Sequence, residues 1–400
     1  MKIIIFTQHF WPENFRINDL AEQIIKNKKI KDLSIFTAKP NYPKGRILTG
    51  YKKFLFEEEK KGKIKIYRTQ IIPRRNASTL DLVLNYLSYV ISALFNIFRI
   101  KKNFDLVFVY ATSPIFQAIP AIFYSKLKNI PIVLWVQDLW PNSVQETGYI
   151  SNKLILKIIK YITRIIYNNC DLILVQSKKF IYPVKKLSNT KTRTFYNPSQ
   201  FSSVRKKKFK LKKNKIKKIY YTGNIGNAQN LENLIKFCKN TKLNNFKITL
   251  FGDGSKKNWL KRKIINEKLS KKIEIKDYLK NNFIKEVAKA DSLLLLLSKG
   301  KALSKTIPAK FQTYLYFGKP IISWSDGEVS YIINKNELGY TAKSSSIHEF
   351  SQSISKIINM NQKGYKKFYF NNINFFNKNF CIRKNSQELI EIFENLIRKK

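Results

Sequence analysis

Apolar residues in this chain fall into short unbroken runs, and the stretches between them carry a helical period. In the first half, residues 2–7, 33–37, 64–68, 105–110, 132–137 and 172–176 predict strands. Between the first two, Ile17, Leu20, Ala21, Ile24 and Ile25 share one face of a predicted helix, with Asn14 placed to cap it. Strands that are apolar throughout, alternating with helices, predict a parallel sheet covered on both faces. The alternation breaks near Asn197-Pro198-Ser199. It resumes with predicted strands at 218–222, 247–251, 273–275, 292–297 and 320–323. Leu389, Ile390, Ile392, Phe393 and Leu396 mark a last helix over 386–398. The fold class is α/β, with one domain at 1–199, a linker at 200–216, a second domain at 217–380 and a terminal helix in 381–400.

Length supports this division, because 400 residues exceed what one core usually serves. A hydrophobic share of 44% excludes a disordered chain. The 76 Lys and Arg against 26 Asp and Glu give a formal charge of +50, which favours anionic partners. Most of the lysines are dispersed, and only 205–218 forms a dense basic run. Charge therefore reads equally as a solvated Lys-rich surface or as an electrostatic device. Three scattered cysteines predict neither a disulfide framework nor a metal site, and two histidines make a His-based zinc site a poor fit. The apolar start of the chain turns polar by Gln8, without the length or cleavage site of a signal peptide.

Residues 78–98 have the length of a bilayer span but carry Asp81 and Asn85 and end at Arg99, Lys101 and Lys102. They read as a helix at a membrane interface or as a buried core helix; a true span is the disfavoured reading. The interfacial reading centres on Tyr86, Tyr89, Leu94, Phe95, Phe98 and the three basic residues.

Ligands of open parallel sheets bind at the carboxyl ends of the strands. The first strand lacks GxGxxG, so a dinucleotide site there is unsupported. Asn14 and Arg16 open a helix that could hold an anion, or they are a cap and a surface arginine. Asn41 and Tyr42 occupy the next such loop. Gly223, Asn224 and Gly226 form a strand-to-helix turn, and Gly252, Asp253 and Gly254 form another. Each would admit a ligand to the backbone, or is simply a tight turn. Pro308 is suited to the first turn of a helix, leaving amides near Lys310 for a diphosphate, with Gln312 and Thr313 following, or the stretch is an ordinary helix with a proline start and a glycine stop at Gly318. Glu328 follows a further strand. Asp138 ends an apolar strand beside Trp135 and Trp140; it is the candidate to accept an acceptor's proton, or a loop cap.

Eight stretches occur together and in order: WPENFRINDLAE, AKPNYPKG, VYATSPIFQAIPA, WVQDLWPNSVQETG, YYTGNIGNAQNLENLI, LFGDGS, IPAKFQTYLYFGKPII and DGEVSYII. In this the chain resembles WbuB-like members of glycosyltransferase family 4. The resemblance implies a GT-B fold, with two Rossmann-like domains facing a cleft and a C-terminal helix crossing back to the N-terminal domain. It implies a UDP-sugar donor held by the C-terminal domain, retention of anomeric configuration and no obligatory metal or cofactor. It also implies surface-polysaccharide synthesis (O-antigen or capsule), with N-acetyl-L-fucosamine as one donor sugar. The chain departs from the broader family at its paired glutamates, whose places hold Lys305 and Thr313.

The expected function is transfer of a sugar to a polyprenyl-diphosphate-linked saccharide by a cytoplasmic protein, peripheral on the anionic inner face of the membrane. The rivals are a sugar-nucleotide epimerase of the same architecture and a nucleic-acid-binding protein. Dispersed lysines disfavour the latter, and nucleic acid is not an expected partner.

Overall fold

A computed structural model describes residues 1–51, 55–75, 78–146, 150, 152–204, 215–278, 282–300 and 303–399. The dense part of the basic run, 205–214, lies outside the described residues. The chain forms two compact units, Met1–Gln200 with Ile382–Lys400, and Phe201–Cys381. Each is a parallel-sheet, Rossmann-like α/β domain.

The first unit holds strands β1 (Lys2–Phe6), β2 (Asp32–Ala38), β3 (Phe56–Lys61), β4 (Ile64–Thr69), β5 (Leu106–Ala111), β6 (Ile132–Val136), β7 (Leu172–Val175) and β8 (Thr192–Thr194). Their order is β3-β4-β2-β1-β5-β6-β7-β8, parallel except for the β3–β4 hairpin. Helices α1 (Arg16–Ile24), α2 (Thr79–Asn96), α3 (Ala118–Lys128), α4 (Asn142–Glu146), α5 (Lys153–Asn168) and α6 (Ile181–Lys185) come from its first segment. Along β1 the side chains alternate between two cores. Ile4 and Phe6 join one with α2, α3 and α5, while Ile3 and Ile5 join the other with α1. Because both faces are covered, the strand reads as one apolar run rather than an alternation.

The strand β3 escaped the apolar pattern because charge holds it. Lys39 pairs with Glu57 at 2.8 Å, Lys65 with Glu58 at 2.6 Å, and Arg68 with Glu59. The strand β8 is three polar residues long, too short for any pattern to register.

The second unit holds β9 (Lys217–Thr222), β10 (Phe246–Phe251), β11 (Ile273–Lys276), β12 (Ser292–Leu296), β13 (Ile321–Trp324) and β14 (Gly339–Ala342). Helices α7 (Leu231–Asn240), α8 (Lys257–Asn266), α9 (Phe283–Val287), α10 (Ala309–Tyr316), α11 (Glu328–Lys335), α12 (Ile347–Ile358) and α13 (Gln362–Asn379) surround them. The strand order is β11-β10-β9-β12-β13-β14, all parallel. That is the doubly wound order, which places its topological switch between β9 and β12.

The last helix, α14 (Ile382–Ile397), belongs to the first unit. It lies on α1 and buries Leu389 and Phe393; the Phe393 ring is 5.2 Å from that of Phe108. Lys29 reaches Glu394 at 2.8 Å.

One local expectation is corrected. Asn14 does not cap α1: the N-cap is Phe15, in extended backbone and without a side-chain cap, and Asn14 is exposed. The Phe15 ring stacks on His9 at 4.7 Å, which fits chain that stays extended before the helix begins. The helix α2 is a packed element of the sheet's cover. Ser78 and Asp81 close a capping box at its start, and Asn85, Tyr89, Val90 and Ala93 are buried. It is long and apolar enough to cross a membrane, as the core helix of a folded domain can also be.

Candidate functional site

In the second unit the candidate site forms at the switch between β9 and β12. Gly223 follows β9 with φ +123°, a conformation that side chains rarely adopt. Gly252 follows β10 and lies against it: a Cβ on Gly252 would meet the Gly223 carbonyl oxygen at 1.9 Å. The amide of Gly223 donates to the Phe251 carbonyl at 2.9 Å, and that of Ile225 to the Asp253 carbonyl at 2.7 Å. Both glycine turns are thus stitched into one backbone surface that admits no extra carbon at Gly252. Asn224 is exposed on that surface, with its Oδ1 2.5 Å from the place of a Gly254 Cβ. The side chain of Gln229 braces the turn by accepting from the Gly226 amide at 2.9 Å.

Lys310 reaches the same surface from α10. Its Nζ donates to the Tyr221 hydroxyl at 2.5 Å and lies 3.8 Å from the centre of that ring. It is also 3.6 Å from where a Gly223 Cβ would be. Burial of the ammonium lowers the Lys310 pKa from 10.5 to about 7. No carboxylate among the described residues forms an ion pair with it. Pro308 stands at the N-cap, one residue earlier than expected, in extended backbone with no side-chain cap on the helix. The leading amides of α10 and the Lys310 ammonium therefore share one end of the helix. Tyr314 pins that helix: its hydroxyl accepts from the Thr222 amide at 2.9 Å, and burial pushes its pKa up to about 12.

The remaining donor-side candidates are spread. Asp253 is exposed and lies 3.6 Å from Lys257. Gln312 is buried, and its Oε1 has no hydrogen-bond partner among the described residues. Thr313 turns its hydroxyl back to the Ala309 carbonyl at 3.5 Å. Glu328 is buried in the first turn of α11, after β13, behind Gly327 at φ +89°.

In the first unit a second polar cluster surrounds Glu13, which sequence reasoning passed over. Its carboxylate accepts from the amides of Asn41 at 2.7 Å and Tyr42 at 2.6 Å, and bonds His9 Nδ1 at 2.8 Å. Burial lowers the His9 pKa, against the pull of Glu13. Arg74 meets His9 Nε2 at 2.9 Å and lies over the Tyr42 ring. Of the acceptor-side candidates, Tyr42 is exposed at the edge of this largely buried cluster. Asn41 is fully buried and bonds the Lys39 carbonyl at 3.1 Å, so it shapes the loop rather than presenting its side chain. Arg16 is held at 3.5 Å from Asp19.

Asp138 stands after β6. Its Oδ2 accepts from Ser113 Oγ at 2.9 Å, and Trp140 Nε1 donates to the same hydroxyl at 3.0 Å. Burial raises the Asp138 pKa while the bonds from Ser113 oppose the rise. The carboxylate borders a cavity of about 550 Å³ whose walls are mainly apolar residues of α2 and α5.

The membrane surface expected on α2 is also redrawn. Tyr89 is fully buried, and Tyr86 and Leu94 are half-buried; only Phe95 and Phe98 of the expected apolar set are exposed. Arg99 lies over the Phe56 ring and Lys102 pairs with Asp32.

Two doubly wound domains in one chain define the GT-B class of protein. Residues 203–375 match the family described as Glycosyl transferases group 1. Sucrose-phosphate synthase from Thermosynechococcus elongatus is similar over 100% of both chains, at 12% identity and a TM-score of 0.72. HepE from Anabaena in complex with UDP is similar over 99% of this chain and 100% of its own, at 12% identity and a TM-score of 0.68. The lipopolysaccharide outer core galactosyltransferase WaaB is similar over 94% of this chain and 99% of its own, at 13% identity and a TM-score of 0.64. No curated protein matches the chain by sequence. Structural likeness at such identities shows the fold, and the domain match supports a glycosyltransferase.

Proposed function

We propose that the chain is a retaining glycosyltransferase that moves a sugar from a UDP-sugar to a lipid-linked saccharide. The observation that carries this is the convergence of Lys310, the uncapped start of α10 and the Gly223 turn on one small surface. That surface suits a diphosphate: amides and an ammonium meet its oxygens, and the absence of a Cβ at Gly223 leaves room for close approach. HepE, of the same fold, was solved in complex with UDP, which favours that donor class here.

Charge develops on the departing diphosphate as the glycosidic bond to it breaks. Lys310 and the helix amides are positioned to stabilise that charge without a metal ion. The sequence offers no obvious carboxylate pair for a double displacement, and the family resemblance favours front-face attack by the acceptor hydroxyl, its proton passing to the donor phosphate. Asp138 would bond and orient that hydroxyl. The donor sugar is proposed to be N-acetyl-L-fucosamine or another N-acetylated amino sugar. The setting is proposed to be O-antigen or capsule synthesis, with the protein peripheral on the inner face of the cytoplasmic membrane and a polyprenyl-diphosphate saccharide as acceptor.

Isothermal titration of the full chain with UDP tests the donor reading. Lys310→Ala should weaken UDP roughly 10- to 150-fold, the effect of losing a charge-assisted bond worth about 1.5–3 kcal/mol. Equal affinity in that variant would remove Lys310 from the site. A thermal-shift screen of UDP, GDP and ADP sugars then names the donor.

A further inference from the structure

The side of the first unit covered by α2, α3 and α5 is apolar twice over, once toward the sheet and once toward solvent. On α2 and the short helical turn Ile97–Arg99 that follows it, Leu80, Leu84, Leu87, Ile91, Phe95 and Phe98 are all exposed and recur every three or four residues, a full helical stripe. On α3, Phe123 and Leu127 extend it, with the Phe123 ring 6.1 Å from Phe98. On α5, Leu154, Ile155, Ile158, Tyr161 and Ile165 are exposed. Single exposed leucines need no explanation, but a continuous patch over three neighbouring helices does.

Charge on this face is mainly positive, with Asp81 at the start of α2 as the acidic exception on the helices. The helix α5 carries exposed Lys153, Lys157, Lys160 and Arg164 and no acidic residue. Lys126 and Lys128 add to it from α3. An apolar patch rimmed mainly by cations complements an anionic bilayer rather than an acidic groove alone, because hydrocarbon and phosphate are offered together.

The cavity of about 550 Å³ opens within this patch. Leu82, Val83, Phe116, Trp140, Ile158 and Ile162 are among its walls, and its charged group among the described residues is Asp138. A mainly apolar cavity of this size with one polar end has the build of a ligand pocket.

We propose that this cavity takes the hydrocarbon chain of a lipid drawn from the bilayer on which α2 and α5 lie, leaving the lipid's polar end beside Ser113 and Asp138. The occupant is a membrane lipid because the mouth of the cavity is the same basic, apolar face that would meet the membrane. The inference rests on the proposed lipid-linked acceptor, and it adds where the chain of that lipid is held. It also moves the membrane contact from the Arg99 end of α2 to the facing surfaces of α2 and α5.

Full-length protein is mixed with phosphatidylcholine vesicles containing phosphatidylglycerol, with acyl chains either brominated or plain. Trp140 lines the cavity, and bromine quenches indole emission only near contact. The expected result is co-sedimentation with the anionic vesicles, quenching by the brominated chains, and loss of most of that quenching in Trp140→Phe at unchanged sedimentation. Leu82→Phe, which fills the cavity, should reduce quenching in the same way. Replacing Lys153, Lys157 and Lys160 with Glu should reduce sedimentation at least tenfold. Equal quenching in wild type and Trp140→Phe would overturn the pocket, as would absence of vesicle binding at low salt. So would a dimer that forms through this face and is broken by Leu87→Glu. UDP titration of the same preparations separates the two readings: a protein that binds UDP but no lipid loses this inference alone, and one that binds lipid but no UDP loses the donor site alone.

Discussion

Lys310 should make UDP binding depend on pH in a direction that few phosphate sites show. With its pKa lowered to about 7 by burial, the unliganded side chain is half neutral at pH 7 and about nine-tenths neutral at pH 8. A diphosphate needs the ammonium, so binding must first restore the proton. Above pH 7 each further unit should therefore weaken UDP by roughly tenfold, about 1.4 kcal/mol, until the pKa of the bound state is reached. Below pH 7 the slope should vanish. The terminal phosphate itself titrates near pH 6, so the window to measure is about pH 7–9. Isothermal titration across it, in buffers of different ionisation enthalpy, should show proton uptake on binding. Lys310→Met should bind weakly with no slope, which separates this side chain from Tyr221 and Tyr314 beside it. The same shift has a sign for stability. Between pH 7 and 10.5 the unfolded chain holds the proton that folded Lys310 has released, so unfolding should become harder as pH rises through that window. Wild-type affinity that is flat from pH 7 to 9, or a Lys310→Met variant with the wild-type slope, would refute the reasoning.

Other consequences are more direct. Gly252→Ala would place a carbon 1.9 Å from the Gly223 carbonyl oxygen, so the turns must separate; a stability loss of about 1–3 kcal/mol by denaturant titration and at least tenfold weaker UDP binding are expected. Turnover should persist in EDTA, since lysine and helix amides replace a cation at the diphosphate; loss of turnover in chelator, restored by manganese or magnesium, would contradict this. Asp138→Asn should lower turnover by about 100-fold or more while leaving UDP affinity as it is, since the carboxylate is assigned to the acceptor's hydroxyl. A turnover equal to wild type would return Asp138 to a purely local bond with Ser113.

What the sequence determined by itself was the architecture, because a doubly covered parallel strand must be apolar along its whole length. Runs such as Ile3-Ile4-Ile5-Phe6 and Leu293-Leu294-Leu295-Leu296 leave few other solutions. Elements held by charge or by too few residues left no such trace, which is why β3, with its three glutamates, and β8 went unread. The glycine turns and Lys310 were legible as separate signals, each with an ordinary alternative. Only the tertiary structure brought the Lys310 ammonium onto Tyr221 and the Gly223 turn, since residues 89 and 87 positions apart meet through strand order rather than through any local period. Likewise Glu13 looked like one acid in a polar loop until the ends of β1 and β2 carried two backbone amides to it. Burial is also a tertiary property. It withdrew Tyr89 and Asn41 from the surface, exposed the stripe from Leu80 to Phe98, and left an apolar cavity beside Asp138. Periodicity says that a helix has an apolar face, but which of two apolar faces meets the sheet is decided by the packing around it.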